Sequence, residues 1–232
     1  MAALLAFGLL VGLGTWQLQR RAWKLDLIAR VDARVHAAPT APPPPAIWPG
    51  VSAERDEYRH VRVSGEFRPG PETLVQAVTA LGPGYWVMAP LTTDAGYTVL
   101  INRGFIPADQ PPPATPREAM AVTGLLRISE PHGAFLHAND PPAGRWYSRD
   151  IAAIAVAQGL GPVAPYFIDA DATPNPGGWP VGGLTVINFP NNHMAYAFTW
   201  FGLALMVAAG GVFLIRDELS LRRGLADRPR TE

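Results

Sequence analysis

MAYAFTWFGLALMVAAGGVFLI, residues 194–215, runs twenty-two positions without a charge between His193 and Arg216. At about 1.5 Å per residue, a helix of that length reaches roughly 33 Å and matches a hydrocarbon core of about 30 Å. A second uncharged stretch opens the chain. Met1–Leu18 carries no charge, and Ala2–Leu13 is almost wholly Ala, Leu, Val, Phe and Gly. It has neither the basic n-region nor the small-x-small cleavage site of a signal peptide. It therefore reads as an uncleaved anchor whose true start is left open. Two transmembrane helices, residues 1–18 and 193–215, are expected to bracket everything else.

The rest of the composition agrees with such a chain and excludes several classes of function. Of 232 residues, 48% are hydrophobic and only 16% charged, where soluble domains run at about 25% charged. Lys+Arg and Asp+Glu balance at 19 each, so no net charge draws the chain to nucleic acid. Cysteine is absent. That removes thiol redox chemistry, Cys-ligated zinc or iron–sulfur clusters, C-x-x-C-H haem attachment and disulfides.

Charge placement gives two conflicting signals for orientation. Arg216, Arg222, Arg223, Arg228 and Arg230 follow the second span, while Ile151–His193 has no Lys or Arg. The positive-inside rule then puts the tail, residues 216–232, in the cytoplasm. Arg20, Arg21 and Lys24, just after the first span, argue the reverse. Both termini must lie on one side, and the tail's asymmetry is the cleaner signal. Residues 19–190 are accordingly expected outside, with the basic cluster after Trp16 serving some specific purpose there.

Between the spans, residues 19–37 read as a juxtamembrane helix and residues 38–49 as a proline-rich linker, a stiff polyproline II spacer. Residues 50–190 are punctuated like a β domain. Glu57–Phe67, Glu72–Thr79, Tyr85–Leu91, Tyr97–Ile106 and Ala119–Ile128 are β-branched or aromatic runs. Gly82-Pro83-Gly84, Asp94-Ala95-Gly96 and Pro111–Pro113 are expected to separate them. Ile151–Gln158 reads as one helix, capped by Asp150 and stopped by Gly159 and Gly161. Pro165–Asp169 and Gly183–Phe189 complete the strands, the latter feeding the second span. The expected fold class is membrane-anchored α+β: two transmembrane helices flank a mostly antiparallel β-sandwich or barrel-like domain with one helix.

Candidate chemistry is sparse. His36 and His60 read as solvated or packed. His132 and His137, with Asp140 near, could hold a metal, but their spacing matches no established ligand pattern and suits turns better. His193 stands at the outer mouth of the second span. At 100° per residue Tyr196 and Trp200 share its face. An imidazole there is either an axial ligand for haem iron among flat aromatics, or a member of an interfacial Trp/Tyr belt. Spacing alone favours the belt. Arg103, in a hydrophobic run, reads as an edge or outward-facing residue before a buried ion pair or anion site. No Gly-x-Ser-x-Gly elbow, His-Glu-x-x-His or phosphate loop is present, so no enzyme is expected.

Six blocks, in order, resemble the surfeit locus protein 1 family of cytochrome c oxidase assembly factors. They are Leu13–Lys24 (LGTWQLQRRAWK, with the only lysine of the chain), Tyr58–Phe67, Gly84–Leu91, Leu100–Pro107, Asn139–Asp140–Pro141 with Arg145–Asp150, and Asn191–Phe201. Phe105 and Phe201 stand where members often carry Trp or Tyr. The resemblance implies a two-pass membrane protein with its domain outside the cytoplasm. A bacterial inner membrane with a periplasmic domain is expected, and a mitochondrial inner membrane is the alternative. It also implies that the protein receives haem a from haem A synthase and helps insert it into cytochrome c oxidase subunit I. His193 becomes the leading haem-iron ligand, with Trp16, Gln17, Arg20, Lys24, Tyr196 and Trp200 as cofactor-binding residues. Arg20, Arg21 and Lys24 would meet the propionates. The implied partners are subunit I, haem A synthase and the lipid bilayer, and a homo-oligomer is compatible with the sequence. Two other readings remain: a scaffold that holds a subunit I intermediate without touching haem, and a membrane-bound enzyme acting on a small molecule. Copper handling is not expected, because soft thiolate ligands are absent and the five Met do not cluster.

Overall fold

The computed structural model describes residues 1–111, 114–116, 118–134, 137–175, 177–187 and 189–226, with backbone alone for 224–226. Pro112 and Pro113 of the third expected breaker, and the tail arginines Arg228 and Arg230, lie outside the described residues. The chain divides into a helical unit, Met1–Arg30 with Asn188–Glu232, and a β unit, Val31–Ile187.

In the helical unit, α1 (Ala2–His36) is one helix, because no Gly or Pro interrupts the ladder between Thr15 and His36. The last helix (His193–Ala226), numbered α4 in chain order, likewise continues past the apolar run, helped by an Arg222–Glu218 pair one turn apart. Both are long and apolar enough to cross a membrane. They pair antiparallel along a seam. Gly14, Gln17, Arg21 and Lys24 on α1 are shielded from solvent, as are His193, Ala197, Trp200, Phe201 and Ala204 on α4. This spacing of three and four residues is that of a left-handed helix pair. A Cβ on Gly14 would lie 2.7 Å from the Phe201 ring, so the close approach needs glycine.

The β unit is a closed barrel. β1 (His60–Phe67), β2 (Thr73–Thr79), β3 (Gly82–Thr93), β4 (Thr98–Pro107), β5 (Met120–Ile128) and β6 (Val163–Ala170) are ordered β1-β5-β6-β4-β3-β2, and β1 also pairs with β3. That last pairing, Gly65↔Thr93 to Phe67↔Leu91, closes five strands and leaves β2 as an appended edge. All neighbours are antiparallel except β4 and β6, which run parallel. Val61, Val63, Leu91, Ile101, Leu126, Tyr166 and Ile168 fill the barrel. α3 (Ile151–Ala157) covers the outer face, where Ile151 and Ile154 pack on Met88, Leu100 and Phe167. β4 is thus buried on both faces, which is why its sequence does not alternate. Asp150 caps α3 by accepting from the Ala153 amide at 3.1 Å. A single turn, α2 (Ala53–Asp56), precedes β1.

Four expectations are corrected. Gly183–Phe189 is not a strand over its described residues: Val181 makes one bridge to Phe105, and the chain then runs irregularly. Its β-branched residues have no edge to join, since β6 is already flanked by β4 and β5. Gly82-Pro83-Gly84 is not a break but the start of β3. The turn lies at Ala80-Leu81, with Gly82 at φ 99°, and Pro83 is tolerated at a strand end. The proline-rich segment is not a stand-off spacer. The Pro43 carbonyl accepts from the buried Tyr166 hydroxyl at 2.7 Å and from Trp48 Nε1 at 3.0 Å. Trp48 also meets Tyr97 edge-on. Burial drives the Tyr166 hydroxyl well above the ordinary tyrosine range.

Arg103 is the fourth. It lies on a central strand, 6% exposed, paired with Glu72, whose side chain is 5% exposed. Thr115 Oγ1 also donates to Glu72. A second buried charge sits on β6. Asp169 accepts from Asn102 Nδ2 (2.7 Å), Thr185 Oγ1 (2.9 Å), Arg149 Nη1 (3.1 Å) and Arg127 Nη1 (3.2 Å). Glu130 and Glu57 take the other sides of Arg149 and Arg127. Burial alone would raise the Glu130 carboxyl, but hydrogen bonds and charge from Arg149, then the charge of Arg127, hold it below its ordinary value.

Two outcomes follow. Arg103→Ala strands Glu72 in the interior and should cost about 3–5 kcal/mol, whereas Arg103→Met with Glu72→Met should recover most of the loss. Thermal unfolding of the full chain in detergent measures both. Glu130, with its folded value depressed, contributes stability that is present above its unfolded value, near pH 4.5. That stability is lost as pH falls through the lower folded value. The β unit should therefore melt progressively earlier on acidification below about pH 4.5, a slope that Glu130→Gln flattens.

Candidate functional site

His193 is the first residue of α4 and faces α1 from the seam. Its Nδ1 lies 2.8 Å from Gln17 Oε1. An amide oxygen only accepts, so Nδ1 donates in this contact, and in the neutral ring the lone pair falls to Nε2. This is the arrangement that prepares an imidazole to ligate: one ring nitrogen is held by a neighbour, which fixes ring orientation and tautomer for the other.

Of the other residues singled out in the sequence, the structure brings two to the same seam. Lys24 is one helical face-repeat beyond Gln17, and its Nζ donates to the Pro190 carbonyl just ahead of α4. Trp200 lies two turns below His193, with its Nε1 buried and without a hydrogen-bond partner. Asn191 Oδ1, in the segment leading into α4, is likewise buried and unpartnered. Three residues are not brought in. Trp16 is 53% exposed and Tyr196 56% exposed. Arg20 sits on the outer flank of α1 with its guanidinium 4.1 Å above the Trp23 ring. Arg21 is half-buried on the seam side. Sequence reasoning missed Gly14 against Phe201. Its signal was one of three glycines in the apolar run, Gly8, Gly12 and Gly14, and nothing local names its partner.

Three of the remaining histidines make structural contacts. His36 Nδ1 lies 2.9 Å from the Asp32 carbonyl, one turn back, and His60 Nδ1 lies 2.8 Å from the Ala37 carbonyl. His137 stacks on Tyr147 at 4.9 Å, and Asp140 pairs with Arg145 and caps the short turn that follows. Among the described residues no group of three His, Asp or Glu is placed to hold a metal ion. Asn139, in the same block, accepts from the Tyr147 and Ser148 amides at 2.8 and 3.1 Å. That block therefore builds a loop rather than a site.

The chain was compared with known proteins. The model of the SURF1 family matches residues 4–205. Surfeit locus protein 1 of Rattus norvegicus is 37% identical over 213 residues, covering 83% of this chain and 67% of that protein. The Homo sapiens protein of the same name is 35% identical over 215 residues, covering 83% of this chain and 69% of its own. A SURF1-like protein of Monosiga brevicollis is 35% identical over 225 residues, covering 88% and 83%. Both ends of the seam, Gly14–Lys24 and His193–Phe201, fall within the matched range.

The tautomer is directly measurable. In ¹⁵N spectra of histidine-labelled protein, the neutral form of His193 should be the Nδ1–H tautomer. Gln17→Leu, which removes the acceptor, should release that preference toward a mixture of the two forms.

Proposed function

Because the chain belongs to the SURF1 family, we propose that it is an assembly factor for haem–copper cytochrome c oxidase that binds haem a at the α1–α4 seam, receiving it from haem A synthase and passing it to subunit I. The observation that carries this reading is the Gln17–His193 hydrogen bond. It would leave Nε2 of a half-buried imidazole, at the level where both apolar runs end, free to hold the iron.

The donor set suits the group. His193 would hold the iron and Gln17 would orient His193. Trp200 and Asn191 would line the site and supply a donor and an acceptor that have no partner in the protein. Lys24 would neutralise a propionate, if it exchanged the Pro190 carbonyl for a charge-assisted bond. When bound, haem a is cargo, destined to act in the oxidase. What this chain contributes is a single neutral nitrogen ligand, a shield from water along the seam, and a nearby cation. One nitrogen ligand is weaker than two, as release to a second protein requires.

In this reading the protein crosses a bacterial inner membrane twice, with the β unit in the periplasm and both termini inside. Support comes from Arg216, Arg222 and Arg223 after the second apolar run, against a stretch from Ile151 to His193 without Lys or Arg. A scaffold that holds subunit I without haem is the second reading. It is favoured by Lys24 being tied to Pro190 and by Arg20 lying on the outer flank of α1 beside Trp23, which leaves neither cation at the seam for a propionate.

An absorption spectrum decides between them. Protein purified in detergent after co-expression with haem A synthase should carry a haem a Soret band that His193→Ala abolishes. Gln17→Leu should keep the band but weaken haem affinity about 10–100-fold. No band in wild type would refute haem binding and leave the scaffold.

A further inference from the structure

The cationic cluster after the first apolar run is not used up by the seam. No carboxylate of the described residues pairs with Arg20, Arg21 or Lys24, and the next acid along the helix, Asp26, is paired with Arg30. Lys24 is satisfied by Pro190. Arg20 is not. It is exposed and stacks on Trp23, so the face of its guanidinium is covered while its in-plane N–H donors stay open. Trp16, Arg20 and Trp23 stand at i, i+4 and i+7, and therefore form a stripe along one flank of α1. The seam residues Gly14, Gln17 and Lys24 lie on another flank. Two half-exposed indoles separated by an unneutralised arginine form an unpartnered face with a definite charge.

That face lies where the uncharged run ends, at Gln19. In a membrane-spanning α1, this is the depth of the headgroups, where indole rings come to rest. The open edge of a guanidinium matches a phosphate in a planar, bidentate fashion. Arg20 also lies on the side of the membrane that positive charge ordinarily avoids, so an anion supplied by the bilayer itself would offset it. We propose that the Trp16–Arg20–Trp23 flank of α1 binds the headgroup of an anionic phospholipid, with Arg20 on the phosphate and the two indoles on the glycerol and upper acyl region. This rests on the membrane placement of α1 given above and not on haem.

The test uses the full chain reconstituted in bilayers of phosphatidylcholine with a minority of phosphatidylglycerol. The protein is then gently re-extracted, and the lipids that remain with it are counted by mass spectrometry. Wild type should retain phosphatidylglycerol over phosphatidylcholine about fivefold above the bilayer ratio, the selectivity of one arginine at a charged surface. Arg20→Gln should return that ratio to near the starting value, and Trp23→Leu, which keeps the charge, should lower it partly. Arg30→Gln, which removes a charge already paired with Asp26, should leave it unchanged. Inserted wild type without enrichment, or enrichment that survives Arg20→Gln, overturns the site while leaving the haem reading intact. Wild type that fails to enter bilayers overturns both. If Arg20→Gln itself does not insert, Trp23→Leu decides: unchanged enrichment there overturns the proposal.

Discussion

A carboxylate placed inside a barrel wall must be given donors from every side, and the β unit is arranged around one that is. Asp169 lies on β6, between β4, which runs parallel to it, and its antiparallel neighbour β5. Asn102 reaches it from β4, Arg127 from β5, Arg149 from the residue before the cap of α3, and Thr185 from the chain that leads out of the barrel. Each arginine is in turn held by a glutamate. Leaving any of these charges without its partner would cost several kcal/mol, in the order of a third of the stability of an ordinary domain. The constraint explains why Asn102 and Arg149 sit in two of the blocks by which the family is recognised. They satisfy one buried oxygen pair, and neither belongs to the α1–α4 seam.

The helical unit obeys a different constraint. Its two helices have little apolar surface to hide from lipid, so close approach and polar contacts must hold them together. Gly14 provides the approach by admitting the Phe201 ring, and Gln17–His193 and Lys24–Pro190 provide the polar contacts. The hydrogen bond that stabilises the pair is therefore also the one that sets the histidine tautomer. A helix pair held by a stronger, apolar seam would have had no need of Gln17, and His193 would be free to turn either nitrogen to the lipid.

How much could be read in advance follows from the range of each interaction. Local signals succeeded: the apolar runs, the five strands from Glu57 to Ile128, Asp150 capping Ala153, and the mostly antiparallel barrel-like class. Long-range ones did not. Gln17 and His193 are 176 residues apart, and only the family resemblance placed them together. Gly183–Phe189 has the residues of a strand, but strand propensity is blind to whether an edge is open, and β6 already has β4 and β5 as its partners. Arg103 looked like a surface charge because its partner, Glu72, comes from the loop before β2, 31 positions earlier. The proline segment looked like a spacer because the groups that hold it, Tyr166 and Tyr97, lie far along the chain. In each case a correct local reading was overruled by a contact that no local pattern contains.

The two segments that join the barrel to the helices are both fastened to the barrel rather than left slack. On the way in, the Pro43 carbonyl takes hydrogen bonds from Tyr166 and Trp48, and Thr40 bridges to Val61. On the way out, Val181 pairs with Phe105, Gly183 donates to the Ala170 carbonyl, and Thr185 joins the Asp169 cluster. Tyr166 and Ala170 belong to β6, the same strand that carries Asp169. Entry and exit are thus anchored to one strand, and that strand is the most heavily hydrogen-bonded by side chains in the unit.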